Sequence, residues 1–124
     1  MVHPFRSAIE AGDLDGAVAL LHEDVVFNSP VVFTPYEGRE AMRRILAAVM
    51  EVFEDFRYVR EIGGDDARDH ALVFEARVGD RRLEGCDFIQ RDDDGVITEF
   101  TVMVRPMSAM LALAEAMRAQ LGEA

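Results

Sequence analysis

The chain has 124 residues, half of them hydrophobic, enough for one globular domain around one core. Its formal net charge of −11 repels phosphate backbones and argues against nucleic acid as a partner. No apolar run is long enough to span a membrane and the first residues lack the basic-then-apolar layout of a secretory leader. The lone Cys86 excludes an internal disulfide and a multi-cysteine metal site, so a cytoplasmic protein without a membrane partner is expected.

Ile9, Leu14, Val18 and Leu21 mark the inner faces of two short helices parted at Ala11-Gly12-Asp13. Gly12 can take the left-handed conformation that closes the first helix, and Asp13 can cap the second, which ends near His22. Val25 to Phe33 is β-branched and aromatic but broken by Pro30, and reads as a strand running into a loop. That loop, Pro30 to Gly38, is apolar enough to predict that it packs against something. Arg39 to Glu54 is a helix, with Met42, Ile45, Leu46, Val49 and Phe53 on one stripe. Four strands follow: Phe56 to Ile62, Ala71 to Val78, Arg82 to Arg91 and Val96 to Val104. They are separated by Gly63-Gly64, Gly79-Asp80 and the Asp92 to Gly95 turn, as in antiparallel hairpins. Met107 to Leu121 is a last helix. Three helices, a curved antiparallel sheet and an added C-terminal helix make an α+β fold, with no repeat or linker dividing residues 1–124.

Alternation assigns the faces of the strands. Leu72, Phe74, Ala76 and Val78 form the inner frame of their strand, against Val73, Glu75 and Arg77. In the next strand Leu83 and Ile89 prefer the interior to Glu84 and Gln90, which turns Asp87 inward. An inward carboxyl must be paired, hydrogen-bonded or protonated, because burying it charged and alone is very costly. Arg60 falls in the frame of Phe56, Tyr58 and Ile62 and is the expected partner if Asp87 is structural.

The opening order, a short helix from Phe5 closing at Gly12, a second from Asp13 and the strand Val25-Val26-Phe27 directly after it, resembles the nuclear transport factor 2-like superfamily. That superfamily holds ketosteroid isomerase, limonene-epoxide hydrolase, SnoaL-type polyketide cyclases and members without chemistry. The resemblance implies a half-open cone of sheet closed on one side by helices, with a pocket between. The run Asp87 to Gly95 is similar, without a gap, to the isomerase segment that starts at a protonated oxyanion-hole aspartate. By that resemblance Asp87 would donate a hydrogen bond. The isomerase's other groups do not carry over: its tyrosine's place holds Phe5, and its general base's place holds Ser29, after Asn28. The arginine of limonene-epoxide hydrolase, two residues from an aspartate, corresponds to Gly85. SnoaL-type chemistry, which relies on one pocket acid, survives this comparison best.

The expectation is therefore a SnoaL-like protein that binds a small apolar, oxygen-bearing molecule, with Asp87 as the catalytic acid or donor in proton-transfer chemistry of isomerase, cyclase or hydrolase type. Phe27, Phe33, Phe53 and Tyr58 would line the pocket with Phe74, Phe100 and Val102. Tyr36 would close over its mouth and Ser29 would orient the ligand. A non-catalytic binding or dimerisation module with a structural Asp87 is the alternative, and a cone filled by its own Phe and Met side chains is a third. Superfamily members commonly dimerise through the outer sheet face, which implies a homodimer covering Phe88, Val73 and Cys86. No cofactor is expected, since no nucleotide-binding or nucleophile motif occurs. His3, His22 and His70 lack metal-ligand spacing, and His22 is expected to interact with the end of the second helix.

Overall fold

Pro4 occupies the first turn of helix α1 (Pro4–Glu10), where its missing N–H leaves no bond unmade. Gly12, at φ 68°, turns the chain out of α1, and the Asp13 carboxylate caps α2 (Leu14–Ala19) by accepting the Gly16 N–H at 2.9 Å. The computed structural model describes residues 2–122. Helix α2 stops at Ala19, short of His22, because Leu21 opens strand β1 (Leu21–Asn28) and is buried opposite Ile97. His22 therefore lies in β1, its Nδ1 accepting the Asp24 N–H at 3.0 Å, and does not act at a helix end.

The loop beyond β1 is shorter than expected, because Tyr36 and Glu37 form strand β2 and pair antiparallel with Phe27 and Val26. Helix α3 (Arg39–Val52) follows and buries Met42, Ile45 and Leu46 of the predicted stripe together with Ala48, while Val49 is half-buried and Phe53 lies just past the helix as its C-cap. Strands β3 (Glu54–Ile62), β4 (Asp69–Val78), β5 (Arg81–Arg91) and β6 (Ile97–Arg105) form successive antiparallel hairpins, and α4 (Met107–Leu121) ends the described fold. The sheet order is β2-β1-β6-β5-β4-β3, antiparallel throughout except for the parallel β1–β6 pair.

The inner frames of β4 and β5 are those that alternation assigns: Leu72, Phe74 and Ala76, and Leu83, Asp87 and Ile89, are buried. Strand β3 departs from simple alternation. Tyr58 pairs with Phe74 but Arg60 with Val73, so a bulge places an extra residue on β3. Arg60 thus moves to the outer frame and is exposed, and Ile62 is exposed with it, while Glu61 faces Leu72 on the inner frame. The expected Arg60–Asp87 pair is not formed.

Candidate functional site: a cavity with one buried carboxyl

Aromatic side chains from four directions converge inside the cone. Phe5 from α1 packs on Phe100 of β6 (ring centroids 4.9 Å apart), and Phe100 touches Phe27 of β1. Phe53, Phe56 and Phe74 form a second cluster, with Tyr58 edge-on to Phe56 at 4.9 Å. Phe74 can lie flat over β5 because residue 85 is glycine: a Cβ there would fall 2.2 Å from the Phe74 ring. These groups line the interior without filling it. A cavity of ≈ 830 Å³ remains between the sheet, α1, α3 and α4.

Asp87 lies on this cavity and is only 6% exposed. The Tyr58 hydroxyl donates to Asp87 Oδ2 at 3.3 Å, the one hydrogen bond to this carboxyl among the described residues. Burial pushes the Asp87 pKa up to about 7, and the Tyr58 hydrogen bond opposes that shift only in part. Tyr58 is driven upward as well, by burial first and by the neighbouring carboxylate second. The pair is therefore a neutral phenol donating to a carboxyl that sheds its proton only near neutrality. The Arg6 guanidinium lies 5.8 Å from the centre of the Tyr58 ring and is tied to Glu10 and Glu61 at 3.2 and 3.6 Å.

Of the other expected lining residues, Phe27, Ser29, Tyr36, Phe53, Phe74, Phe100 and Val102 border the cavity along with Tyr58. Phe33 does not. It is fully exposed at the tip of its loop and borders a shallower groove with Met103 and Met110, which corrects its place in the pocket. Lining residues that escaped the sequence reading include Ile9 and Glu10 of α1, Val31 and Val32 of the loop, Ile45 and Val49 of α3, and Leu113 and Met117 of α4. The sequence reading placed Met117 but not Leu113 on the apolar side of the last helix, and left open whether that helix lids the pocket or covers the outer face of the sheet. Asn28 turns to Thr101, donating to its hydroxyl at 2.9 Å. Cys86 lies on the outer frame, its thiol pKa raised by burial, which suits it poorly as a nucleophile.

A curved sheet wrapped over helices around one apolar cavity defines the nuclear transport factor 2-like class of α+β folds. Within that class the chain belongs to the SnoaL-like domain family, whose pattern residues 2–100 match. The chain is 48% identical to a steroid delta-isomerase from Pseudomonas aeruginosa, over 94% of this chain and 85% of that one, with a TM-score of 0.88. A protein with a cystatin-like fold from Silicibacter pomeroyi DSS-3 is 35% identical, over 94% of this chain and 82% of that one, with a TM-score of 0.88. At 20% identity, an epoxide hydrolase/cyclase-like enzyme of pyran ring formation in salinomycin shares the fold, with a TM-score of 0.67 over 85% and 87% of the two chains.

Proposed function

We propose that the cavity binds a small, largely apolar molecule carrying a carbonyl or similar oxygen, and that protonated Asp87 donates a hydrogen bond to that oxygen. The observation that carries this reading is a carboxyl inside an 830 Å³ apolar cavity with its pKa raised to about 7 and no cation bonded to it among the described residues. A neutral acid there stabilises negative charge developing on the oxygen, the electrostatic role that is most effective away from water. The other carboxyls along the cavity are already engaged or face solvent. Glu10 is engaged by Arg6, and Glu51 stands on the exposed side of α3. Chemistry at this site is therefore limited to substrates whose own C–H or leaving group is already activated, as in isomerase- or cyclase-type proton transfer. The likeness to the Pseudomonas aeruginosa steroid delta-isomerase supports the class of ligand, but Phe5 and Ser29 do not supply the further groups expected for double-bond isomerisation.

The reading extends to assembly. Residues 1–124 form one domain, and two copies pair through the outer sheet face, where Phe88 and Met103 are exposed.

Thermal shift with wild type and Asp87→Asn, against steroid enones, terpenoid epoxides and polyketide-like aromatics, tests the proposal. A compound that stabilises the wild type should lose at least tenfold in affinity to the variant. If no compound of the three classes shifts either protein, the pocket reading fails.

A further inference from the structure

A second polar cluster lies where α1 begins, away from the carboxyl of the cavity. His3 and His70 are each 5% exposed, with ring centroids 4.7 Å apart and planes inclined at 74°. One nitrogen of each ring is engaged by the backbone. His3 Nδ1 accepts the Phe5 N–H at 3.0 Å, so neutral His3 carries its proton on Nε2. His70 Nε2 lies 2.8 Å from the Gly64 carbonyl oxygen, which can only accept, so neutral His70 also carries its proton on Nε2 and leaves Nδ1 bare. The two remaining nitrogens, His3 Nε2 and His70 Nδ1, are buried with no partner. One is a donor and the other an acceptor. The backbone has set complementary tautomers on two rings in edge contact.

The Gly63-Gly64 turn packs directly against the His70 ring. Gly63 sits at φ 114°, and a Cβ there would fall 2.6 Å from His70 Cδ2 and 2.9 Å from the Asp69 carbonyl oxygen. Gly64 supplies the carbonyl that orients the ring. The same tautomers argue against a metal between the rings, since ligation through His3 Nε2 would move its proton to Nδ1, against the Phe5 N–H.

We propose that His3 and His70 form an acid-sensitive latch, fastening α1 to the β3–β4 hairpin through the edge contact of two buried, neutral imidazoles. Protonation of His3 undoes it. A proton on His3 Nδ1 meets the Phe5 N–H, donor against donor, and uncaps α1. The charged groups around the pair come from three elements. Glu61 of β3 accepts the His3 backbone N–H at 3.2 Å, and Arg6 of α1 holds Glu61. Arg91 of β5, its Nη2 bound to the carbonyls of Asp65 and Ala67, adds positive charge. Burial dominates the balance, with His70 and Arg91 adding to it and Glu61 opposing, so His3 is held neutral down to about pH 4. Because α1 carries Phe5, Ile9 and Glu10 into the cavity wall, release of the latch opens that wall. This consequence rests on the pocket reading above. The latch does not, and its test uses no ligand.

Amide hydrogen exchange of Ser7 and Ala11, whose N–H groups bond to the His3 and Ser7 carbonyls, reports α1 opening. Corrected for intrinsic rates, their protection should fall about 30-fold between about pH 7.5 and about pH 5 if opening exposes one histidine of ordinary affinity. Protection in β4 and β5 should hold. His3→Asn keeps a side-chain oxygen for the cap but cannot titrate, and should abolish the fall. An NMR titration of wild-type His3 provides a reading that needs no variant, and its midpoint should lie well below 6.5. PH-independent protection in the wild type, a fall that persists in His3→Asn, or a His3 midpoint at its ordinary value would each overturn the latch.

Discussion

Burial acts on Asp87 and Tyr58 in the same direction, because in both it is the anion that loses solvation. The hydrogen bond between them acts oppositely on the two: it favours the Asp87 carboxylate and holds the phenol proton in place. Tyr58 is therefore a fixed donor to one carboxyl oxygen, and the protonated Asp87 can offer its O–H to the cavity from the other. Removing the hydroxyl in Tyr58→Phe should move the Asp87 midpoint above about 7, read from its carboxyl carbon by NMR. An unchanged or lower midpoint would mean that the 3.3 Å contact carries no hydrogen bond. Ligand affinity should follow the same proton: in the wild type it should weaken as pH rises through about 7, and in Tyr58→Phe the weakening should begin at higher pH. Calorimetric titration across neutrality measures both profiles.

At the scale of elements, β4 and β5 act as one unit through Phe74 and Gly85, paired across the strands with the ring covering the glycine. Gly85→Ala forces a nearly fully buried ring to move and should cost about 1–3 kcal/mol in urea unfolding. Adding Phe74→Leu should recover part of that loss, so that the double variant loses less than the sum of the singles. The inner frames of these two strands were legible because Leu83 and Ile89 outweigh Glu84 and Gln90, and Asp87 follows from that alone. The facing of strand β3 beyond Tyr58 was not legible, because nothing in Tyr58-Val59-Arg60 announces the bulge that sends Arg60 outward and brings Glu61 in. The apolar composition of the loop after β1 was read as burial, but Val31, Val32 and Phe33 are all exposed, with Val31 and Val32 at the edge of the cavity and Phe33 away from it. His3 and His70 looked peripheral because only a contact across 58 residues, from His3 to Glu61, shows that α1 folds back onto the hairpin. Local pattern reaches as far as regular alternation does, and bulges and long-range closures lie beyond it.

For the whole molecule, two buried groups titrate in opposition. Folding raises the Asp87 pKa from 3.8 to about 7, so over that range the folded chain holds a proton that the unfolded chain has lost. Its contribution to stability is fully present below about 3.8 and is lost as pH rises through about 7. Folding lowers the His3 pKa from 6.5 to about 4, so there the unfolded chain holds the extra proton. That contribution is present above about 6.5 and is lost as pH falls through about 4. Between about pH 4 and about 6.5 the two differences are one proton each with opposite signs, and their slopes offset one another. Removing one group should expose the other. Asp87→Asn should become more stable as pH rises through this window, relative to wild type, because the His3 slope stands alone; His3→Asn should become less stable over the same range. The double variant should return to the wild-type slope. Urea unfolding at three pH values within the window decides the matter. Parallel profiles for the wild type and both single variants would show that neither group binds a different number of protons in the folded and unfolded chains, and would remove the electrostatic basis of both the neutral pocket acid and the histidine latch.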